Sequence, residues 1–253
     1  MEKERVRRRR GNFTLIEMLV VVAIIAILAA MLSPSLMKSL AQVRGVACAN
    51  NLRQVTLAQT LYAGDYDDWI VFKSNHWPGA VLESHFKSHD YFIQPYGGDN
   101  VNLWLCPGNA AMTEWFNHYN IYGMYNGRGG GRSGAGFRDA SYDAAVNGDF
   151  IRSPDPYNVL YRLTRARRPG EQALYADTVY HGDGVFDGGP GYGKQWYAWC
   201  PSTLEERAGV HALHLGSANF SYFDGGVRKV MEARLDAGLV KVTKYVNMGG
   251  FEF

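Results

Sequence analysis

Cysteine is scarce: Cys48, Cys106 and Cys200 are the only three in 253 residues, and no two of them stand in a C-x-x-C spacing. The missing spacing argues against a structural zinc site. An odd count excludes a fully paired disulfide framework. In an oxidising compartment one bond and one leftover thiol is the expectation, and spacing alone leaves all three pairings open. Signatures of catalysis are missing as well. No nucleophile motif, phosphate-cradling loop or paired-carboxylate arrangement stands out, and Gly127-Arg128-Gly129-Gly130-Gly131 lacks the strand-to-helix setting of a phosphate loop. His76, His85, His89 and His118 are scattered without ligand spacing. A strong charge imbalance is absent too. The net charge is +2 at pH 7, supplied largely by Lys3, Arg5 and the run Arg7-Arg8-Arg9-Arg10. The remainder is near neutral or slightly acidic, so no nucleic-acid footprint is present, and the short set Arg162, Arg165, Arg167 and Arg168 reads as a solvated face.

What the chain does contain is an apolar run from Phe13 to Leu32, directly after the arginines. At about 1.5 Å per helical residue, roughly 20 residues cover the ~30 Å hydrocarbon core of a bilayer. Basic residues precede the run and few charges follow it, which places the N-terminus in the cytoplasm and the rest outside. Such an N-terminus reads as a cleaved secretory signal with Ala29-Ala30 as its processing region, as an uncleaved anchor, or as a specialised leader. Glu17 separates them: it is the one charge inside the run, near its start, where a carboxylate needs a partner or a function.

The run Phe13-Thr14-Leu15-Ile16-Glu17, followed by the apolar stretch to Ala29, resembles the leader of type IV pilins and type II secretion pseudopilins. The resemblance implies that a prepilin peptidase removes residues 1–12, that Phe13 becomes the N-methylated terminus, and that Glu17 neutralises the amine of a neighbouring subunit during assembly. The family cuts after Gly. Here Asn12 precedes Phe13 and Gly11 stands one step earlier, so the bond lies after Asn12 or after Gly11. The resemblance further implies a single-pass protein of the bacterial inner membrane, in contact with its lipid. Its partners would be like or related pilin subunits and the pilus or type II secretion machinery, with the head outside or in a fibre.

A second resemblance lies near the other end. His214, followed after nine intervening residues by Asp224 and Gly225, matches the H-x9-D-G signature that closes many pilin-like proteins of one large bacterial expansion. Physically, 220–223 reads as a strand and Asp224-Gly225-Gly226 as a tight turn into 227–230, a hairpin in which His214 bonds across the turn and Asp224 caps it. An acid–base or metal set of His211, His214 and Asp224 is the functional alternative. Pilin-like layouts also pair a late-stem cysteine with one in the head, which favours a Cys48–Cys106 bond and leaves Cys200 free.

The expected fold is α+β: a long N-terminal helix from transmembrane segment to stem, packed on an antiparallel sheet, as in pilins. The divisions are a leader at 1–12, a membrane half at 13–35, a stem at 36–63 and a head at 64–253, with the signature hairpin at 214–225. Pro34 should kink the helix, as a proline does in pilin stems. Leu36, Leu40, Val43, Ala47, Asn51, Val55, Ala58 and Tyr62 mark a helical face, and Gly64-Asp65 with Asp67-Asp68 ends it. Strands are expected at 69–72, 101–105, 119–124, 173–176, 220–223 and 240–242, and 91–93 is either a strand or a helix end. The glycine-rich 127–136 and the segment around Pro154 and Pro156 read as loops.

The run His181 to Gly189 offers Asp183 and Asp187 as Ca²⁺ ligands, although it lacks EF-hand spacing. The functional expectation is a non-enzymatic pilin or pseudopilin subunit. The alternative is a membrane-anchored protein that binds or hydrolyses polysaccharide, using Trp69, Trp77, Trp104, Trp115, Trp196 and Trp199 for sugar stacking.

Overall fold

The computed structural model describes residues 14–73, 96, 101–109, 122–125, 144–155, 158–180, 185–186, 189–190, 195, 198–199, 208–235, 242 and 245–246. It divides into two compact units, Met1–Leu40 and Ala41–Phe253. The architecture is α+β, a long apolar N-terminal helix together with largely antiparallel sheets.

Helix α1, Leu15–Asp65, runs for 51 residues and continues through Pro34. In the first unit its apolar side chains, Leu19, Ile24, Leu28 and Leu32 among them, are exposed, as are Leu36 and Leu40. In the second unit it buries Cys48, Leu52, Val55, Gln59 and Tyr62, a stripe at three- and four-residue spacing. The buried face therefore lies about one residue on from the one expected: Val55, Ala58 and Tyr62 are buried, whereas Ala47 and Asn51 are half-buried and Val43 is exposed. Asp67 and Asp68 end the helix at positive φ, 53° and 67°, a region that Asp tolerates, with Asp68 N–H donating to Ala63 O at 2.8 Å.

Strand β1 is Trp69–Lys73. Residues Val101–Trp104 form a 3-10 helix rather than the expected strand, with Leu103 and Trp104 turned into the core. Strand β2, Gly123–Tyr125, is followed by the short helix α2, Ala144–Asn147, and by strands β3, Ile151–Asp155, and β4, Asn158–Arg162. The segment around Pro154 is thus a strand, not a loop. It is the edge of the sheet β1-β4-β3, and its register shifts between Arg152 and Asp155, where a residue without N–H is tolerated.

Strands β5, Ala173–Ala176, and β6, Thr178–Tyr180, follow, then β7, Val185–Phe186, β8, Gly189–Pro190, and β9, Ala198–Trp199. Strands β10, Ala208–His211, β11, Ser217–Tyr222, β12, Val227–Met231, and β13, Tyr245–Val246, complete the described order. The largest sheet runs β12-β11-β5-β2-β9, and a smaller one runs β13-β10-β6. All four residues of β5 are buried, because both its edges are paired and both its faces covered. The edge strand β12 instead presents Arg228 and Lys229 to solvent, which discourages pairing with another chain. Cys48, Leu52, Val55 and Tyr62 of α1 share one core with Tyr122, Met124, Leu174, Trp199 and Phe220. A buried polar link reinforces it: Tyr175 O–H donates to Gln59 Oε1 at 3.0 Å.

Gly148 closes α2 with φ +94°, and a Cβ there would stand 2.1 Å from Arg165 O and 2.8 Å from Arg167 N. Both obstacles are backbone and cannot rotate away. Gly148→Ala is expected to cost at least about 2 kcal/mol, through left-handed strain and overpacking together. Urea unfolding of the full chain in detergent micelles checks this, and an unchanged midpoint would contradict it.

Candidate functional site

Two sites can be built from the described residues, one at the start of α1 and one inside the larger unit. At the helix start, Thr14 precedes the first helical residue and Glu17 stands three residues later. Thr14 N–H and Thr14 Oγ1–H donate to Glu17 Oε2 at 2.7 and 2.8 Å, and Glu17 N–H returns to Thr14 Oγ1 at 3.3 Å. This is a reciprocal capping box, which satisfies helix N–H groups that have no partner within the helix. The sequence reading gave Glu17 only an intermolecular role. The signal for the local one was the Thr-x-x-Glu spacing itself. Beyond it, α1 supplies a window with mean hydropathy 3.0 and no buried residue, long and apolar enough to cross a membrane. Gly11, Asn12 and Phe13 lie outside the described residues.

Residues 7–33 match the family model of the prokaryotic N-terminal methylation motif. The chain carries a prepilin-type segment. No curated protein and no solved structure matches the chain. The segment supports processing by prepilin peptidase and a pilin-type protein, and α1 is consistent with anchoring in the inner membrane.

The second site gathers Cys48, Cys106, Asp177 and His214, all buried, with their Sγ, carboxylate and imidazole atoms within 4.8 Å of one another. Each comes from a different place. Cys48 lies on α1, Cys106 follows the 3-10 helix, Asp177 links β5 to β6, and His214 precedes β11. Cys48 Sγ–H donates to Asp177 Oδ1 at 2.8 Å, and His214 Nε2 stands 3.3 Å from both Asp177 Oδ2 and Cys106 Sγ. Backbone donors complete the shell: Asn219 N–H reaches Asp177 Oδ2 at 2.7 Å and Gly108 N–H reaches Cys106 Sγ at 3.4 Å.

Two glycines make room for the imidazole. A Cβ on Gly108 would fall 2.8 Å from His214 Cε1, and one on Gly45 would touch the ring at 3.4 Å. Burial alone would lower the basicity of His214, but hydrogen bonds to Asp177 and Cys48 and the Asp177 charge outweigh it and push the imidazole up to about 10. Burial, reinforced by Cys106 and the Asp177 charge, pushes the Cys48 thiol well above its ordinary range.

Three expectations are corrected here. Cys48 and Cys106 come together as expected of a pair, yet both are free thiols, with Cys48 Sγ–H donating to Asp177 Oδ1 and Cys106 Sγ facing His214 Nε2. His214 does not bond across the hairpin turn. It is set at one end of β11, where its imidazole turns to Asp177 and Cys106, and its backbone N–H donates to Ser217 O at 2.9 Å. His211, His214 and Asp224 therefore do not share a site around the turn. Asp224 is at the other end of β11 and caps the hairpin as expected, with Gly226 N–H at 2.9 Å from Oδ1 and Gly225 at φ +83°. The nine-residue interval is the length of a short turn and a six-residue strand. Asp177 was missed altogether. Its signal was an acid directly after a wholly apolar strand.

Asp183, Asp187 and Cys200 lie outside the described residues, as do Trp77, Trp115 and Trp196. Of the described tryptophans, Trp104 and Trp199 are buried and Trp69 is half-buried, with the Arg162 guanidinium 5.5 Å from its ring centre. Among them no solvent-facing stacking surface forms, so the polysaccharide reading gains no support.

Proposed function

We propose that this chain is a structural, non-enzymatic pilin or pseudopilin subunit. Prepilin peptidase removes the arginine-rich leader, Phe13 is N-methylated, and α1 then inserts among like helices while the sheet-bearing unit faces the exterior. The observation that carries this reading is the methylation motif at 7–33 leading into a helix whose membrane-length apolar window is wholly exposed. An apolar surface of that extent requires lipid, other subunits, or both. The capped start of α1 supports the same reading, since it holds the Glu17 carboxylate at a defined place beside the future N-terminus.

Assembly can be tested by crosslinking in native membranes through a photoreactive group attached within the apolar window of α1, for example on the thiol of Ile24→Cys. Ladders of like or related subunits are expected. A chain that crosslinks only to lipid would favour a solitary display anchor.

A further inference from the structure

We propose that Cys48, Cys106, Asp177 and His214 form a buried tetrahedral Zn²⁺ site that ties α1 to three separate segments of the sheet-bearing unit. The donor set is two sulfurs, one imidazole nitrogen and one carboxylate oxygen, a combination suited to Zn²⁺ and poor for Ca²⁺ or Mg²⁺. The geometry agrees. Ligand atoms about 2.0–2.3 Å from a tetrahedral centre stand roughly 3.3–3.8 Å from one another. His214 Nε2 is already 3.3 Å from both Cys106 Sγ and Asp177 Oδ2, and the whole set lies within 4.8 Å. The 2.8 Å approach of Cys48 Sγ to Asp177 Oδ1 opens when the thiol proton that makes it is lost, and no separation in the set, at 4.8 Å or less, needs to close by more than about 1 Å.

The surroundings fit a metal–thiolate centre as well. Gly108 N–H points at Cys106 Sγ and Asn219 N–H at Asp177 Oδ2, so donors that orient ligands and offset negative charge are in place. Two thiolates, one carboxylate and a neutral imidazole around Zn²⁺ leave a single negative charge. Binding releases the two thiol protons and the proton on His214 Nε2 to solvent, with no change of oxidation state. The absence of C-x-x-C does not weigh against this site. That spacing serves ligands held on one loop, whereas here four elements of a packed core each deliver one.

The test uses the full chain, extracted from membranes in detergent without added reductant. Metal analysis should give one zinc per chain. Peptide mapping after alkylation in denaturant and chelator should find Cys48 and Cys106 as thiols. Co²⁺ exchanged for zinc should show tetrahedral d–d bands and a sulfur-to-cobalt charge-transfer band. Cys48→Ser and Cys106→Ser should each weaken binding by at least about 100-fold, beyond what loss of an outer partner costs. The cobalt spectrum of the unaltered chain keeps the proposal testable if these variants fail to fold. A Cys48–Cys106 disulfide with no metal, zinc retained equally by both serine variants, or bound Co²⁺ without a sulfur band would each overturn it.

Discussion

Glu17→Gln is expected to insert into the membrane and fold normally, yet to lose subunit assembly. Gln can still accept from Thr14 at the third helical position, so the capping box survives while the charge goes. Removing a charge from an apolar segment favours insertion of the single chain. In the proposed pilin-type assembly the same change would leave the terminal amine of a neighbour without a counter-ion, which is where such losses are severe. Thr14→Ala supplies the opposite control: it breaks the box and keeps the carboxylate. Crosslinked ladders should disappear with Glu17→Gln and persist with Thr14→Ala. Loss with Thr14→Ala alone would mean that Glu17 serves the helix start and not a partner.

Asp177→Ala should destabilise the sheet-bearing unit by about 3–5 kcal/mol, the range for removing one member of a buried charged pair. The carboxylate accepts from Asn219 N–H at 2.7 Å and Cys48 at 2.8 Å and faces His214 Nε2 at 3.3 Å, and Asp177 is 1 % exposed. Truncation leaves all three partners buried without this carboxylate, and only sulfur, a weak acceptor, remains within reach of His214 Nε2. Asp177→Asn keeps an oxygen for Asn219 and should recover part of the loss. Urea unfolding of the full chain in micelles, with chelator present so that no metal contributes, measures both. A loss below about 1 kcal/mol for Asp177→Ala, the level of an ordinary point substitution, would show that the cluster is not organised around this carboxylate.

Local patterns carried much of this structure in the sequence. The apolar run and its later three- and four-residue spacing announce α1, and the buried strand 173–176 is legible from its composition alone. Long-range packing decided what local pattern could not. Residues 101–104 are apolar enough for a strand, but they wind into a 3-10 helix that sends Leu103 and Trp104 into the core. The prolines near 154 suggested a loop, whereas an edge strand tolerates the missing donor. The buried cluster was half legible. Cys48, Cys106 and His214 each stood out, but contacts such as Cys48 to Asp177, 129 residues apart, depend on the tertiary fold. His214 was misread because its nearest sequence neighbours, the hairpin and Asp224, are not its partners.

The most direct test of the pilin-type account is the mass and N-terminal sequence of the mature chain purified from its native host. The account predicts loss of residues 1–12 and a methylated Phe13 as the first residue. An intact Met1, or a terminus near Met31, would contradict it.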